Sequence, residues 1–337
     1  MEKNRRTRGA LPGVTALALF TLGTETLPDR LSAAGSGAWL CPLAAGAAGW
    51  LALRLLVPLA RRLPHRPGPD RGLWALFLAW GLVVTAAQAN RVGLRLSEDL
   101  RGSPLLLTAV LLALSAWMAS GGLEALGRAC RIFTLAVGLA FGCIVLFALG
   151  GLRWDWLVLF AGPDLAAVPR GAGVTAGTLS VGLFALVLGE EDGTGEEKVL
   201  RRGFLLLPLL ALATLLVTGR LGPALAASIH RPFFQMVSGL GFQGAFQRLE
   251  ELVSALWLLG DLALLALLLL CLGRLTARVL PGRDGKAAVW VLAGLALVLA
   301  GSQPVPWPGW RAELAAGGAL LLFAGKNLRF LKKGVDK

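Results

Sequence analysis

Two carboxylates lie inside long apolar runs of this chain, Glu25 in LGTETLP and Asp261 in WLLGDLALL. A charged side chain at the centre of a bilayer costs at least about 2.5 kcal/mol unless it is paired or hydrated. Each acid therefore marks a place where the protein offers a cationic partner or a polar cavity. Glu25 either meets the ammonium group of a ligand, sits protonated, or lies near the outer headgroups. Asp261 lies mid-span and faces an interior contact or belongs to a structural polar pair. Weaker polar groups stand in similar surroundings: Thr24 and Thr26 beside Glu25, Thr85 and Gln88 in a later run, and Ser180 in a glycine-rich one. Each hydroxyl can serve a ligand or bond back to a carbonyl of its own helix. Catalysis has a poorer set to draw on. The two histidines, His65 and His230, fall in loops of opposite sidedness, and no nucleophile stands near a base. The segment GTGEE lacks the Lys-Ser/Thr ending of a phosphate loop. Cys41, Cys130, Cys143 and Cys271 are scattered with no CxxC pair, which reads as small core residues rather than ligands or disulfides. The expectation is a non-enzymatic protein with no cofactor and no metal.

The elements that must position these groups are membrane helices. Of 337 residues, 56% are hydrophobic and 16% charged, whereas soluble domains carry about 25% charged residues. About ten apolar runs can be marked, some of them short, and roughly 20 residues cross the hydrocarbon core. With no water there, each run must satisfy its backbone as a helix. The fold class is all-α integral membrane, with about ten transmembrane helices. The net charge of +13 is unevenly placed. If the N-terminus is inside and the loops alternate, Lys and Arg favour the inner side by about two to one, as the positive-inside rule expects. Both ends are then cytoplasmic. The basicity reads as orientation and contact with anionic lipid rather than nucleic-acid binding. On this alternation Arg30, Arg91, Arg95, Arg170 and Arg231 all fall on the outer side. The partly apolar stretch from Gly219 to Gln247 reads as an interfacial or re-entrant helix capping the outer face, with Phe233, Phe234, Met236, Leu240 and Phe242 turned inward.

Two spans are irregular. In the first, LGTETLP carries polar residues where apolar ones belong, and Pro28 removes a backbone donor, so an interruption is expected there. The sixth is short and holds Gly171, Gly173, Gly177, Gly182 and Gly189 together with Thr175, Thr178 and Ser180. Matching interruptions in helices one and six of two five-helix halves, here 1–151 and 172–331 of a single domain over 1–337, point to an inverted-repeat fold with a site near the midplane. The plainer alternative is a proline kink plus close glycine packing between helices.

Two stretches resemble a known family. GTETLPDRLSAAGSGAWLCPL, Gly23 to Leu43, is similar to the GTxxLxxP…GxxAW region of the B subunits of spore germination receptors. FQRLEELVSALWLLGDLALL, Phe246 to Leu265, resembles that family's RLE/RLD…W(I/L)xG stretch, carried here by Arg248, Leu249, Glu250, Trp257 and Gly260. The resemblance implies the amino-acid permease superfamily and a LeuT-type 5+5 inverted repeat with helices 1 and 6 interrupted. It also implies a nutrient-sensing, ligand-binding subunit, often for amino acids, beside A and C receptor subunits in the spore inner membrane. An autonomous amino-acid permease or exchanger is the alternative. Half-helix ends favour carboxylate at their N–H groups and cations at their carbonyls, which suits a zwitterion. That places the ligand at Gly23, Thr24, Glu25, Thr26, Ser180 and Gly182, with Thr85 and Gln88 lining the same cavity. Arg248, Glu250, Trp257 and Asp261 are the family-motif and intramembrane polar residues of the eighth helix.

Overall fold

A computed structural model describes residues 10–62, 71–157, 162–188, 196–240, 249–280, 282, 285–302 and 309–327. Its elements in order are α1 (Ala10–Arg30), a 3-10 turn (Ser32–Gly37), α2 (Leu40–Arg62), α3 (Arg71–Leu100), α4 (Pro104–Ser120) and α5 (Gly122–Leu149). After a short 3-10 turn (Trp154–Leu157) come α6 (Gly162–Leu179), its 3-10 continuation (Ser180–Leu188) and α7 (Glu196–Leu221). The two short helices α8 (Pro223–Ser228) and α9 (Pro232–Ser238) follow, then α10 (Leu249–Val279), α11 (Gly285–Ser302) and α12 (Trp310–Asn327). Among the described residues there is no strand. Seven of the spans are long and apolar enough to cross a membrane: α1, α3, α5, α6 with its 3-10 continuation, α7, α10 and α11. Shorter apolar stretches lie in α2 and α4. The chain is an all-helical protein of the multi-pass membrane kind.

Burial separates central helices from peripheral ones. Every residue from Leu262 to Leu272 of α10 is buried, as befits a helix that is apolar all round and enclosed by protein. α10 packs on α1, α3, α4, α5 and α11, and α1 on α5, α6, α7 and α10. α5 and α11 instead turn Ile132, Leu135, Leu139, Leu146, Val291 and Val298 outward. So large an apolar rim suits contact with lipid or with another membrane protein. Of the four cysteines, Cys41, Cys130 and Cys271 are buried and Cys143 is exposed on α5.

The first span differs from expectation. α1 runs unbroken from Ala10 through Pro28 to Arg30, so the interruption expected at LGTETLP is absent. Its polar side chains are satisfied without unwinding: Thr24 donates to the Phe20 carbonyl at 2.9 Å and Thr26 to that of Leu22 at 2.6 Å. Pro28 leaves the Thr24 carbonyl without its usual helical donor, yet the helix continues through it to Arg30. The chain bends only after Arg30, where Gly35 takes φ 53° and ψ −130°, a conformation open to glycine alone at low cost. The sixth span is irregular as expected, its α winding tightening to 3-10 at Ser180.

The cap forms much as the apolar pattern implies. Phe233, Phe234, Met236 and Leu240 are buried, while Gln235 and Gly239 between them are exposed. Gly189, Phe242 and Arg248 lie outside the described residues.

Candidate functional site: a closed ring of four charges

α3 carries Gln88, Arg91 and Arg95 at spacings of three and four, which puts them on one helical face. That face meets Glu25 of α1 and Asp261 of α10. Arg95 Nη1 lies 2.7 Å from Glu25 Oε2, and its Nη2 lies 2.7 Å from Asp261 Oδ2. Arg91 repeats the arrangement with the other oxygens, Nη1 at 3.0 Å from Glu25 Oε1 and Nη2 at 3.3 Å from Asp261 Oδ1. Each guanidinium bridges both acids and each acid bridges both guanidiniums, so the four close a ring. Gln88 braces it, donating to Asp261 Oδ1 and accepting from Arg91 Nε, both at 3.3 Å. Lysine could not build this, because the ring needs two donors at fixed spacing on one planar group.

Buried charges persist only when each is matched, and here two guanidiniums face two carboxylates. The Arg95, Asp261 and Glu25 side chains are 1%, 1% and 5% exposed, while Arg91 is 20% exposed. Arg91 is thus the most exposed member of the ring. Arg95 and Arg91 lie five and nine residues before Leu100, roughly 7.5 and 13.5 Å along α3 at about 1.5 Å per residue.

An aromatic layer closes the site from the side of the cap. The Arg95 guanidinium lies 5.6 Å from the Phe234 ring centre. Phe233 packs on Trp257 with centroids 5.2 Å apart, and Trp257 donates its indole N–H to Thr24 Oγ1 at 2.8 Å. Arg231, in a left-handed conformation just before α9, ties the cap to the end of α3 through Glu98 at 2.6 Å and Asp99 at 3.6 Å. Ser254 of α10 donates to Asp99 at 2.9 Å.

Of the residues expected to line the ligand cavity, Thr24, Glu25 and Gln88 meet here, joined by Trp257 and Asp261 of the eighth-helix set. The others do not. A Cβ on Gly23 would stand 2.6 Å from Leu210 of α7, so Gly23 serves the α1–α7 packing rather than a ligand. Gly182 likewise admits Leu19 of α1. Ser180 Oγ lies within hydrogen-bond distance of the Gly177 and Glu313 carbonyls, at 2.7 and 2.8 Å, and so faces α12. Thr26 and Thr85 bond back to Leu22 and Gly81 of their own helices. Glu250 is exposed in the first turn of α10. The expected meeting of Gly23 and Thr24 with Ser180 and Gly182 is therefore replaced by a cluster of α1, α3 and α10. Arg91 and Arg95, read as loop residues from charge alternation, belong to the 30-residue helix α3. Their helical spacing from Gln88 is the signal that would have found them. Comparison with protein-family models and with curated proteins gives no match for this chain.

Proposed function

We propose that this chain is a ligand-binding membrane subunit of a spore germinant receptor, of the B-subunit type, responding to a small nutrient such as an amino acid. The observation that carries the reading is the contact between the two stretches that resemble that family. Trp257 of the second bonds Thr24 of the first, and a side chain on Gly260 would collide with Thr21 just before it. Segments more than 200 residues apart thus form one unit beside the charged ring. The ligand carboxylate is received at Arg91, the most exposed member of the ring.

Helix packing supports the 5+5, ten-helix reading of the fold. With α1–α5 as one half and α6, α7, α10, α11 and α12 as the other, four contacts of one half have a counterpart in the other, whereas those of α1 and α5 with α10 have none as extensive. α1 packs on α7 as α6 does on α2; α1 on α5 as α6 on α12; α3 on α4 as α10 on α11; and α4 on α10 as α11 on α3. A pseudo-twofold repeat requires such pairing. In this reading the N- and C-termini are cytoplasmic and A and C subunits complete the receptor in the spore inner membrane. Cysteines placed at positions 3 and 333 should resist a membrane-impermeant reagent in intact cells; labelling of either would reverse that orientation.

Binding of a labelled amino-acid panel to the purified chain in nanodiscs tests the function. Saturable binding of at least one member is expected, and Arg91→Gln should weaken it by about tenfold, the effect of losing about 1.4 kcal/mol. A folded wild-type chain that binds no member defeats the proposal. Accumulation of the ligand by liposomes holding this chain alone would favour an autonomous permease.

A further inference from the structure

A cleft of about 620 Å³ opens between the end of α1, the 3-10 turn after it, and α6. Among the described residues its charged lining consists of Arg30 and Arg170; the wall between them is small and apolar, with Leu31, Ala34, Ala167 and Val174. Arg30 is held in place from behind. Its Nη1 donates to Thr178 Oγ1 at 2.8 Å and lies 3.5 Å from the buried Glu313 carboxylate of α12. Glu313 therefore offsets the charge of Arg30. Arg170 has no ion pair among the described residues, so the lining carries one positive charge in excess.

Excess guanidinium charge beside an apolar wall selects an oxyanion attached to an apolar body. Arginine presents a planar fork that matches carboxylate or phosphate oxygens in pairs. The volume lies within the range of small-molecule sites, about 300–1,000 Å³. A single small amino acid would leave most of it empty. The first element of the wall is anchored by Arg30 itself, which ties α1, α6 and α12 together; a bound anion would add its own charge to that junction.

We propose that this cleft is a second binding site, separate from the four-charge ring, for a carboxylate or phosphate carried on an apolar body and held by Arg170 and Arg30. The anion comes either from a free organic acid or from an anionic lipid headgroup, and the chemistry of recognition is the same. The site does not depend on the germination reading.

Titration calorimetry of the full chain in phosphatidylcholine nanodiscs, with acetate, hexanoate and benzoate as probes, tests this. Hexanoate or benzoate should bind saturably and more tightly than acetate. Arg170→Gln should weaken binding by about tenfold or more. Ala167→Trp, which fills the cleft without changing charge, should abolish it. Loss of probe binding in nanodiscs containing phosphatidylglycerol, together with a gain in thermal stability from that lipid that Ala167→Trp removes, identifies the headgroup as the source; unaltered probe binding identifies a free acid. The proposal is overturned if wild type binds none of the probes and gains no stability from phosphatidylglycerol. It is equally overturned if Arg170→Gln and Ala167→Trp both bind as wild type does.

Discussion

Arg95→Gln is expected to destabilise the protein by about 3–5 kcal/mol, the usual cost of stranding buried charge. The substitution leaves Glu25 and Asp261 facing each other with Arg91 alone between them, and Arg91 is held at longer range from Asp261, 3.3 Å against 2.7 Å. Such a loss is a large share of a typical folding free energy of about 5–15 kcal/mol. The double variant Arg95→Gln, Asp261→Asn restores a balance of one cation and one anion and should recover part of the loss. A thiol-reactive dye can follow thermal unfolding, because Cys41, Cys130 and Cys271 are buried while Cys143 supplies a constant background. An Arg95→Gln protein that melts with the wild type would mean that the ring is not a structural unit. A double variant worse than either single one would mean that charge balance is not what holds it.

Trp257→Ala should be the second severe change, at about 3–5 kcal/mol for an aromatic side chain removed from a packed interior. Trp257 is fully buried, with Phe233 at 5.2 Å and Phe20 at 6.3 Å between ring centres. Trp257→Phe separates packing from hydrogen bonding. It keeps an aromatic ring but removes the donor to Thr24, whose hydroxyl still has the Phe20 carbonyl. A cost of about 0.5–1.5 kcal/mol is expected for that bond alone. The same dye assay orders the three proteins. Equal losses for Ala and Phe would assign the whole effect to the hydrogen bond and remove the case for the aromatic layer.

The membrane character of the chain was legible because apolar runs such as Leu262–Leu272 admit few other readings. Glu25 and Asp261 were legible as anomalies, since an acid in such a run demands an explanation. Their partners were harder to see. Arg91 and Arg95 lie toward the end of a helix longer than a bilayer crossing needs, and a count of loop charges assigns them to solvent. The misread interruption of α1 has a related cause. Thr24 and Thr26 looked like polar side chains in need of an unwound backbone, yet each is satisfied within its own helix. Gly23 illustrates the same ambiguity, because a glycine that admits a ligand and one that admits Leu210 are identical in sequence. Gly23→Leu consequently tests helix packing and says nothing of ligand recognition.

The composition of the ring also bears on how the protein responds to electrical forces. A transmembrane potential acts on a displaced charge with about 2.3 kcal/mol per elementary charge per 100 mV. Two guanidiniums and two carboxylates that move together carry no net charge through that field. A displacement of the closed ring as one body therefore moves no net charge of its own through that field. Only a step that opens the ring, parting Arg91 from its two acids, would give the field something in the ring to act on.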